Sequence, residues 1–204
     1  MTQQLRIHKM LAGIRTLGPF DRFVIWTQGC RRRCPGCISP SSRSFDGGKV
    51  MDIDAVARRV LRHGDCEGLT ISGGEPFLQA AGLCALLDAL RAQRDLGVIV
   101  YTGYTLEELQ EPDAPYASGS LLSRLDLLID GPYIEALNDD KSLRGSSNQR
   151  VIPLTDRYLS QLPLYGADGD RRIELRAGSD GIFAAGIPSK EIAKQLVKNR
   201  KGEE

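Results

Sequence analysis

Three cysteines stand close together in the stretch Thr27-Gln28-Gly29-Cys30-Arg31-Arg32-Arg33-Cys34-Pro35-Gly36-Cys37. The spacing C-x3-C-x2-C puts three thiols on one short loop. Three thiolates around one small volume repel each other unless a cation or a metal cluster neutralises them. Iron–sulfur clusters are commonly held by cysteine thiolates, and a complete set is four. The local set stops at three, so one iron of a four-iron cluster would stay open to a ligand that is not protein. Two rivals use the same residues. A structural zinc wants four ligands, and the two histidines, His8 and His63, are distant in sequence. Cys34-Pro35-Gly36-Cys37 also has the spacing of a dithiol redox pair, although Cys30 and three arginines suit that chemistry less well. Cys66 and Cys84 border apolar runs and read as small buried hydrophobes, not ligands.

The loop must be positioned by the elements around it. Residues 5–19 read as an irregular or β-rich lead-in. Arg22–Gln28 reads as a strand ended by Gly29. The cysteine loop then lies at the C-terminal end of a strand, where α/β proteins place active sites. Residues 38–50 read as loop. Asp52 is placed to cap a helix running to about His63, with Ile53, Val56, Ala57, Val60 and Leu61 as its buried stripe. Gly68–Ser72 reads as a strand running into Gly73-Gly74-Glu75-Pro76. A helix over about Leu78–Arg94 follows, with Leu83, Leu86, Leu87 and Leu90 on one side. Val98–Tyr101 reads as a buried strand before Thr102-Gly103-Tyr104. Glu107–Ser123 holds one or two short helices, and Leu125–Ile129 is a strand ending in Asp130-Gly131-Pro132. This alternation predicts a parallel sheet with helical crossovers.

Beyond Pro132 the pattern loosens. Arg171–Arg176 and Ile182–Ala185 read as strands paired through a Gly178–Gly181 turn. Ser189 is placed to cap a last helix with Ile192, Leu196 and Val197 on its apolar side. The basic end of that helix, Lys198, Arg200 and Lys201, suits a helix C-terminus.

The chain as a whole has 204 residues, which suits one domain or one domain with an appendage. Lys plus Arg number 27 and Asp plus Glu 26, so net charge gives no push toward nucleic acid or an anionic membrane. No segment approaches the roughly 20 apolar residues of a membrane span. The first residues, Met1-Thr2-Gln3-Gln4-Leu5-Arg6, lack the apolar core of a signal peptide. The expectation is a cytoplasmic protein with reduced thiols. Five cysteines, three of them clustered, make a poor disulfide framework.

Taken together and in order, these motifs resemble the radical S-adenosylmethionine (SAM) superfamily. Within it they resemble the anaerobic ribonucleoside-triphosphate reductase activating proteins, a group of glycyl radical enzyme activases. The resemblance covers about residues 13–152. It rests on Gln28-Gly29-Cys30, Cys34-Pro35-Gly36-Cys37, Ser72-Gly73-Gly74-Glu75-Pro76, Tyr101-Thr102-Gly103-Tyr104, Leu128-Ile129-Asp130-Gly131 and Arg144-Gly145-Ser146-Ser147-Asn148-Gln149. Arg31, Arg32 and Arg33 depart from it, since related sequences more often carry an apolar residue and a histidine or aromatic there.

The resemblance implies a partial, open (β/α) barrel, because a complete eight-unit barrel takes about 250 residues. Residues 1–152 would be the radical SAM core, and 153–204 a C-terminal α+β extension of the same domain. It also implies one 4Fe–4S cluster on Cys30, Cys34 and Cys37, with SAM on the open iron. Reductive cleavage of SAM would give methionine and a 5′-deoxyadenosyl radical. That radical would take a hydrogen atom from a glycine of a partner glycyl radical enzyme such as an anaerobic ribonucleotide reductase. Gly73, Gly74 and Glu75 would meet the amino group of SAM. Thr102 and Asp130 would bind SAM or a cation beside it, and Arg144 and Asn148 its carboxylate or ribose, or else pin their own loop. The three arginines would attract an acidic electron donor such as flavodoxin or ferredoxin. One alternative keeps the cofactors and modifies a peptide or small molecule; another is a zinc-binding interaction protein without catalysis.

Overall fold

The computed structural model describes residues 3–141, 143–166, 171–178 and 181–201. A long strand β1 (Gln4–Ile14) turns back as β2 (Arg22–Thr27), and after the cysteine loop comes a short edge strand, β3 (Lys49–Asp52). Helix α1 (Ile53–Leu61) leads to β4 (Gly68–Gly73), and α2 (Ala80–Arg91) to β5 (Gly97–Tyr101). The short helices α3 (Leu106–Gln110) and α4 (Ser118–Leu122) lead to β6 (Leu127–Asp130). Then come β7 (Arg150–Pro153), α5 (Pro163–Gly166), the hairpin β8 (Ile173–Gly178) and β9 (Gly181–Gly186), and α6 (Lys190–Lys201).

The main sheet has the order β3-β1-β2-β4-β5-β6-β7. Its four central strands, β2, β4, β5 and β6, are parallel. The flanks are antiparallel: β1 to β2 and β3, and β7 to β6. The sheet therefore ends at β3 and β7 and forms no closed barrel. The lead-in becomes a full strand because Leu5, Ile7 and Met10 turn into the core while polar neighbours face outward. The end of the expected 38–50 loop is β3, which pairs with the start of β1.

Side chains alternate across the strands, so the central sheet buries both faces. On one face Phe23, Ile25, Leu69, Ile71, Val98, Val100 and Leu128 share a core with Val56 and Val60 of α1 and Leu83, Leu86, Leu87 and Leu90 of α2. Asp52 precedes α1 as expected, but its carboxylate accepts from Gln4 Nε2 (2.9 Å) and makes no capping bond. Helix α2 starts later than expected. Pro76–Gln79 forms a tighter 3-10 turn first, with Glu75 capping it.

The other face is covered by the C-terminal part of the chain. Val24 and Trp26 pack with Ile14, Leu17 and Ala185, and Phe183 meets Trp26 edge-on at 4.9 Å. Tyr158 is buried against Ile99, Leu127 and Ile129. The hairpin is tied down where β1 ends: Glu174 accepts from the backbone N–H of Arg15 (2.6 Å) and Thr16 (3.1 Å), and Arg176 donates to Gly13 O (2.8 Å). Ser189 Oγ accepts from Ile192 N (3.3 Å) at the start of α6. The side chains of Leu196, Val197 and the basic helix end, and the middle of the Gly178–Gly181 turn, lie outside what is described. Among the described residues no helix is long and apolar enough to cross a membrane.

Candidate active site

The cysteine loop leaves the C-terminal end of β2 and is held from below by a dense backbone network. Gln28 N donates to Arg6 O (2.9 Å), Gly29 N to Ser42 O (2.8 Å) and Cys30 N to Arg43 O (3.0 Å). The Gln28 side chain is buried, donating to Ser41 O (3.1 Å) and Ser44 O (2.7 Å) and lying 2.9 Å from His8 Nδ1. Gln79 donates to Gln28 O (3.1 Å). Residues 39–48 thus form a cradle under the loop, a role that a Ser- and Gly-rich stretch does not announce. Inside the loop, Cys37 N donates to Cys34 O (3.3 Å), closing the Cys34-Pro35-Gly36-Cys37 turn.

Cys30, Cys34 and Cys37 are all free thiols and partly exposed. Burial pushes the Cys30 thiol up; a backbone contact at Arg32 lowers it, and Glu75 and the other two cysteines raise it further. Burial likewise raises Cys37, with Cys34 adding to the rise. Cys30 and Cys37 therefore resist carrying negative charge unless a cation neutralises it, which is the chemistry a cluster supplies. Among the described residues no three His, Cys, Asp or Glu side chains converge on a point for a single ion. A four-iron cluster gives each cysteine its own iron and needs them arranged around a volume instead. Cys66 and Cys84 are buried in the helix-side core, as small apolar side chains would be.

The end of β4 lies against this loop. Gly74 N donates to Thr27 O and Glu75 N to Gly29 O, both at 2.8 Å. A Cβ on Gly74 would collide with the carbonyl of Gly29, and Gly73 has φ +106° with the Thr27 backbone in contact. The two glycines let β4 and the cysteine loop touch backbone to backbone. Gly74→Ala is expected to cost about 1–3 kcal/mol and to lower iron retention after reconstitution, read by thermal melting and an iron assay.

Glu75 is 1% exposed. Its Oε1 accepts from Phe77 N (3.1 Å) and Thr102 Oγ1 (2.8 Å), and its Oε2 from Gly103 N (2.8 Å). Burial pushes its carboxyl up, and these donors pull it back. Thr102 also accepts from Tyr104 N (3.1 Å). The structure thus brings Glu75, Thr102 and the cysteine loop together across the ends of β2, β4 and β5. Arg32 closes the group. Its guanidinium lies 4.5 Å over the Tyr104 ring and 2.7 Å from Glu108, while its Nε is buried with no partner. Arg31 and Arg33 point outward and are exposed.

Asp130, at the end of β6, is 1% exposed and turned onto the protein. It accepts from Leu106 N (2.8 Å) and from Arg150, which also pairs with Glu107 (2.6 Å). Arg144 pairs with Asp139 (2.5 Å) and donates to Gln149 O (3.3 Å). Asn148 Nδ2 donates to Pro132 O (2.8 Å), but its Oδ1 is buried with no partner. That acceptor, beside Gly131 at the end of β6, is a buried oxygen that receives no hydrogen bond.

Comparison with known proteins agrees with this geometry. A family model described as a 4Fe-4S single cluster domain matches residues 16–152. The chain belongs to this family. The 4Fe-4S single cluster domain here is of the radical SAM type, and its cofactors are one 4Fe–4S cluster and SAM. It is an enzyme of the radical SAM activating kind. Within the family, an anaerobic ribonucleoside-triphosphate reductase-activating protein of Vibrio cholerae serotype O1 is 31% identical over 151 residues, 68% of this chain and 91% of the relative. The protein of that name from Enterobacteria phage T4 is 29% identical over 146 residues, 68% of this chain and 88% of the relative. A pyruvate formate-lyase-activating enzyme of Streptococcus mutans serotype c is 30% identical over 153 residues, 71% of this chain and 56% of the relative.

Proposed function

We propose that this chain activates a partner glycyl radical enzyme, an anaerobic ribonucleotide reductase, by removing one hydrogen atom from a glycine of the partner. The observation that carries the reading is the contact between the cysteine loop and Gly73-Gly74-Glu75 at one rim of the parallel strands. The names of the relatives support the partner class. When bound, the reduced cluster and SAM supply a 5′-deoxyadenosyl radical and methionine by one-electron cleavage of the sulfonium.

The chain's own residues bind and orient. Cys30, Cys34 and Cys37 hold three irons. A carboxylate has about four acceptor positions, and Glu75 uses three of them on the protein, so Oε2 keeps one for the amino group of SAM. Asn148 Oδ1 accepts from a ribose hydroxyl. Thr102 fixes the Glu75 carboxylate, Asp130 fixes the start of α3 through Leu106 N, and Arg144 holds the Asn148 loop in shape. Arg31 and Arg33 present positive charge to an acidic electron donor such as flavodoxin or ferredoxin. Arg31→Glu combined with Arg33→Glu is expected to slow reduction by flavodoxin on the order of tenfold at low salt. Stopped-flow mixing reads the rate, and an unchanged rate with unchanged salt dependence removes these residues from the donor surface.

The test is anaerobic reconstitution with iron and sulfide, reduction, and addition of SAM and an anaerobic ribonucleotide reductase. The expected result is 5′-deoxyadenosine together with a glycyl radical signal on the reductase. A colourless protein holding one zinc and forming no product overturns the reading. Deoxyadenosine without a glycyl radical favours a peptide or small molecule as hydrogen donor. That second reading draws on the C-terminal part of the chain, which lies beyond the matched region and packs Tyr158, Phe183 and Ala185 against one face of the sheet.

A further inference from the structure

Arg171 lies well outside the matched residues 16–152, yet it reaches back to the loop that carries Arg144 and Asn148. Its side chain is only 2% exposed. Nε donates to Lys141 O (2.9 Å), and Nη2 to Arg144 O (2.6 Å) and Gly145 O (3.0 Å). Nη1 donates to Pro188 O (3.1 Å) and approaches Asp140 Oδ1 (3.4 Å). Asp140 Oδ1 also accepts from Lys190 N (2.9 Å) at the start of α6. One guanidinium therefore joins the 140–145 loop to the segment between β9 and α6.

The loop needs such a fastening. Asp140 and Leu143 have φ of +56° and +60°, a left-handed conformation that residues other than glycine adopt at a cost. Conformations of this kind persist where the surroundings over-determine them. Three carbonyl oxygens of the loop, those of Lys141, Arg144 and Gly145, take donors from this one guanidinium. Arg144 and Asn148 follow directly, and Asn148 carries the unpartnered Oδ1.

We propose that Arg171 is a positioning residue for SAM: through the C-terminal extension it fixes the 140–149 loop so that Asn148 Oδ1 meets the ligand. The inference rests on the SAM site proposed above. It gives the extension a task in the chemistry that its distance from the cysteine loop in sequence hides. Lysine cannot reproduce the fork, since it offers one charged point where the guanidinium serves carbonyls on two sides.

The experiment uses the full chain, reconstituted with its cluster, as wild type, Arg171→Lys, Arg171→Gly and the neighbouring control Arg172→Ala. SAM affinity is measured by equilibrium binding, and trypsin cleavage after Lys141 and Arg144 reports loop order. Arg171→Lys is expected to bind SAM on the order of tenfold more weakly, with iron content and melting temperature close to wild type, and to be cut faster in the loop. Guanidinium ion at millimolar level is expected to restore binding in Arg171→Gly and not in Arg171→Lys. Unchanged SAM affinity in Arg171→Lys overturns the inference. Should wild type itself fail to bind SAM, the ligand reading falls and with it the positioning role, while unequal loop cleavage would still separate that failure from a loop indifferent to Arg171. If Arg171→Gly does not fold, Arg171→Lys alone decides through affinity against iron content.

Discussion

Cys34→Ala is expected to abolish SAM cleavage, leaving 5′-deoxyadenosine at the level of an enzyme-free control. Cys34 sits between Cys30 and Cys37 on a loop whose backbone is anchored on both sides, by Cys30 N on Arg43 O and by the Cys37 turn. No other described cysteine can replace it, because Cys66 and Cys84 are buried in the core on the helix side of the sheet. With two thiolates the cluster loses a corner of its protein support, and iron left exposed to water is lost or rearranged. The fold should survive, since the Cys34 side chain is partly exposed and takes no part in the apolar core. The measurement is deoxyadenosine formation beside iron and sulfide content, with thermal melting as the control for folding. Retained cleavage in a variant that melts like wild type would remove Cys34 from the cluster and reopen the choice of ligands.

Much of this site could be read before the fold was known, and the reason is local. A cysteine loop and a Gly-Gly-Glu segment each follow an apolar run, and apolar runs buried on both faces are what central parallel strands look like. Hence β2, β4, β5, β6, α1 and α2 were legible. Strand β1 was less so, because Arg6 and His8 keep the alternation of Leu5 and Ile7 but Lys9 breaks it, where the pairing with β2 shifts register. Other features had no local signal at all. Gly73 and Gly74 suggest close approach to a ligand, but their nearest neighbours are the backbones of Thr27 and Gly29, which only tertiary structure brings near. Three adjacent arginines look equivalent in sequence. The fold separates them, turning Arg32 over Tyr104 and leaving Arg31 and Arg33 outside. The loop carbonyls that Arg171 meets lie 26 to 30 residues upstream, across a segment with no recognisable motif.

Arg22→Met should produce the largest loss of stability of any single substitution considered. Arg22 opens β2 and reads in sequence as a charged strand end, yet it is fully buried. All five of its N–H groups have acceptors. Nε donates to Thr70 Oγ1 (3.1 Å), Nη1 to Glu67 and to Tyr158 Oη (2.5 Å), and Nη2 to Leu69 O (2.7 Å) and Gly97 O (2.8 Å). It joins the starts of β2, β4 and β5 to the C-terminal segment at the end of the sheet opposite the cysteines. Removing one partner of a buried ion pair costs about 3–5 kcal/mol. The low end applies here, because Glu67 is a quarter exposed and keeps Arg157 (2.9 Å) and Tyr158 (2.7 Å). Urea denaturation is expected to show a loss of about 3 kcal/mol, and Tyr158→Phe a loss of about 1 kcal/mol. Arg22→Lys should recover little, since an ammonium has three donors for five acceptors. The cluster site, at the far rim, should keep its iron and its SAM affinity below the melting transition. A loss of SAM binding in folded Arg22→Met would mean that the two ends of the sheet are coupled. An unchanged midpoint would mean that water replaces the guanidinium without cost.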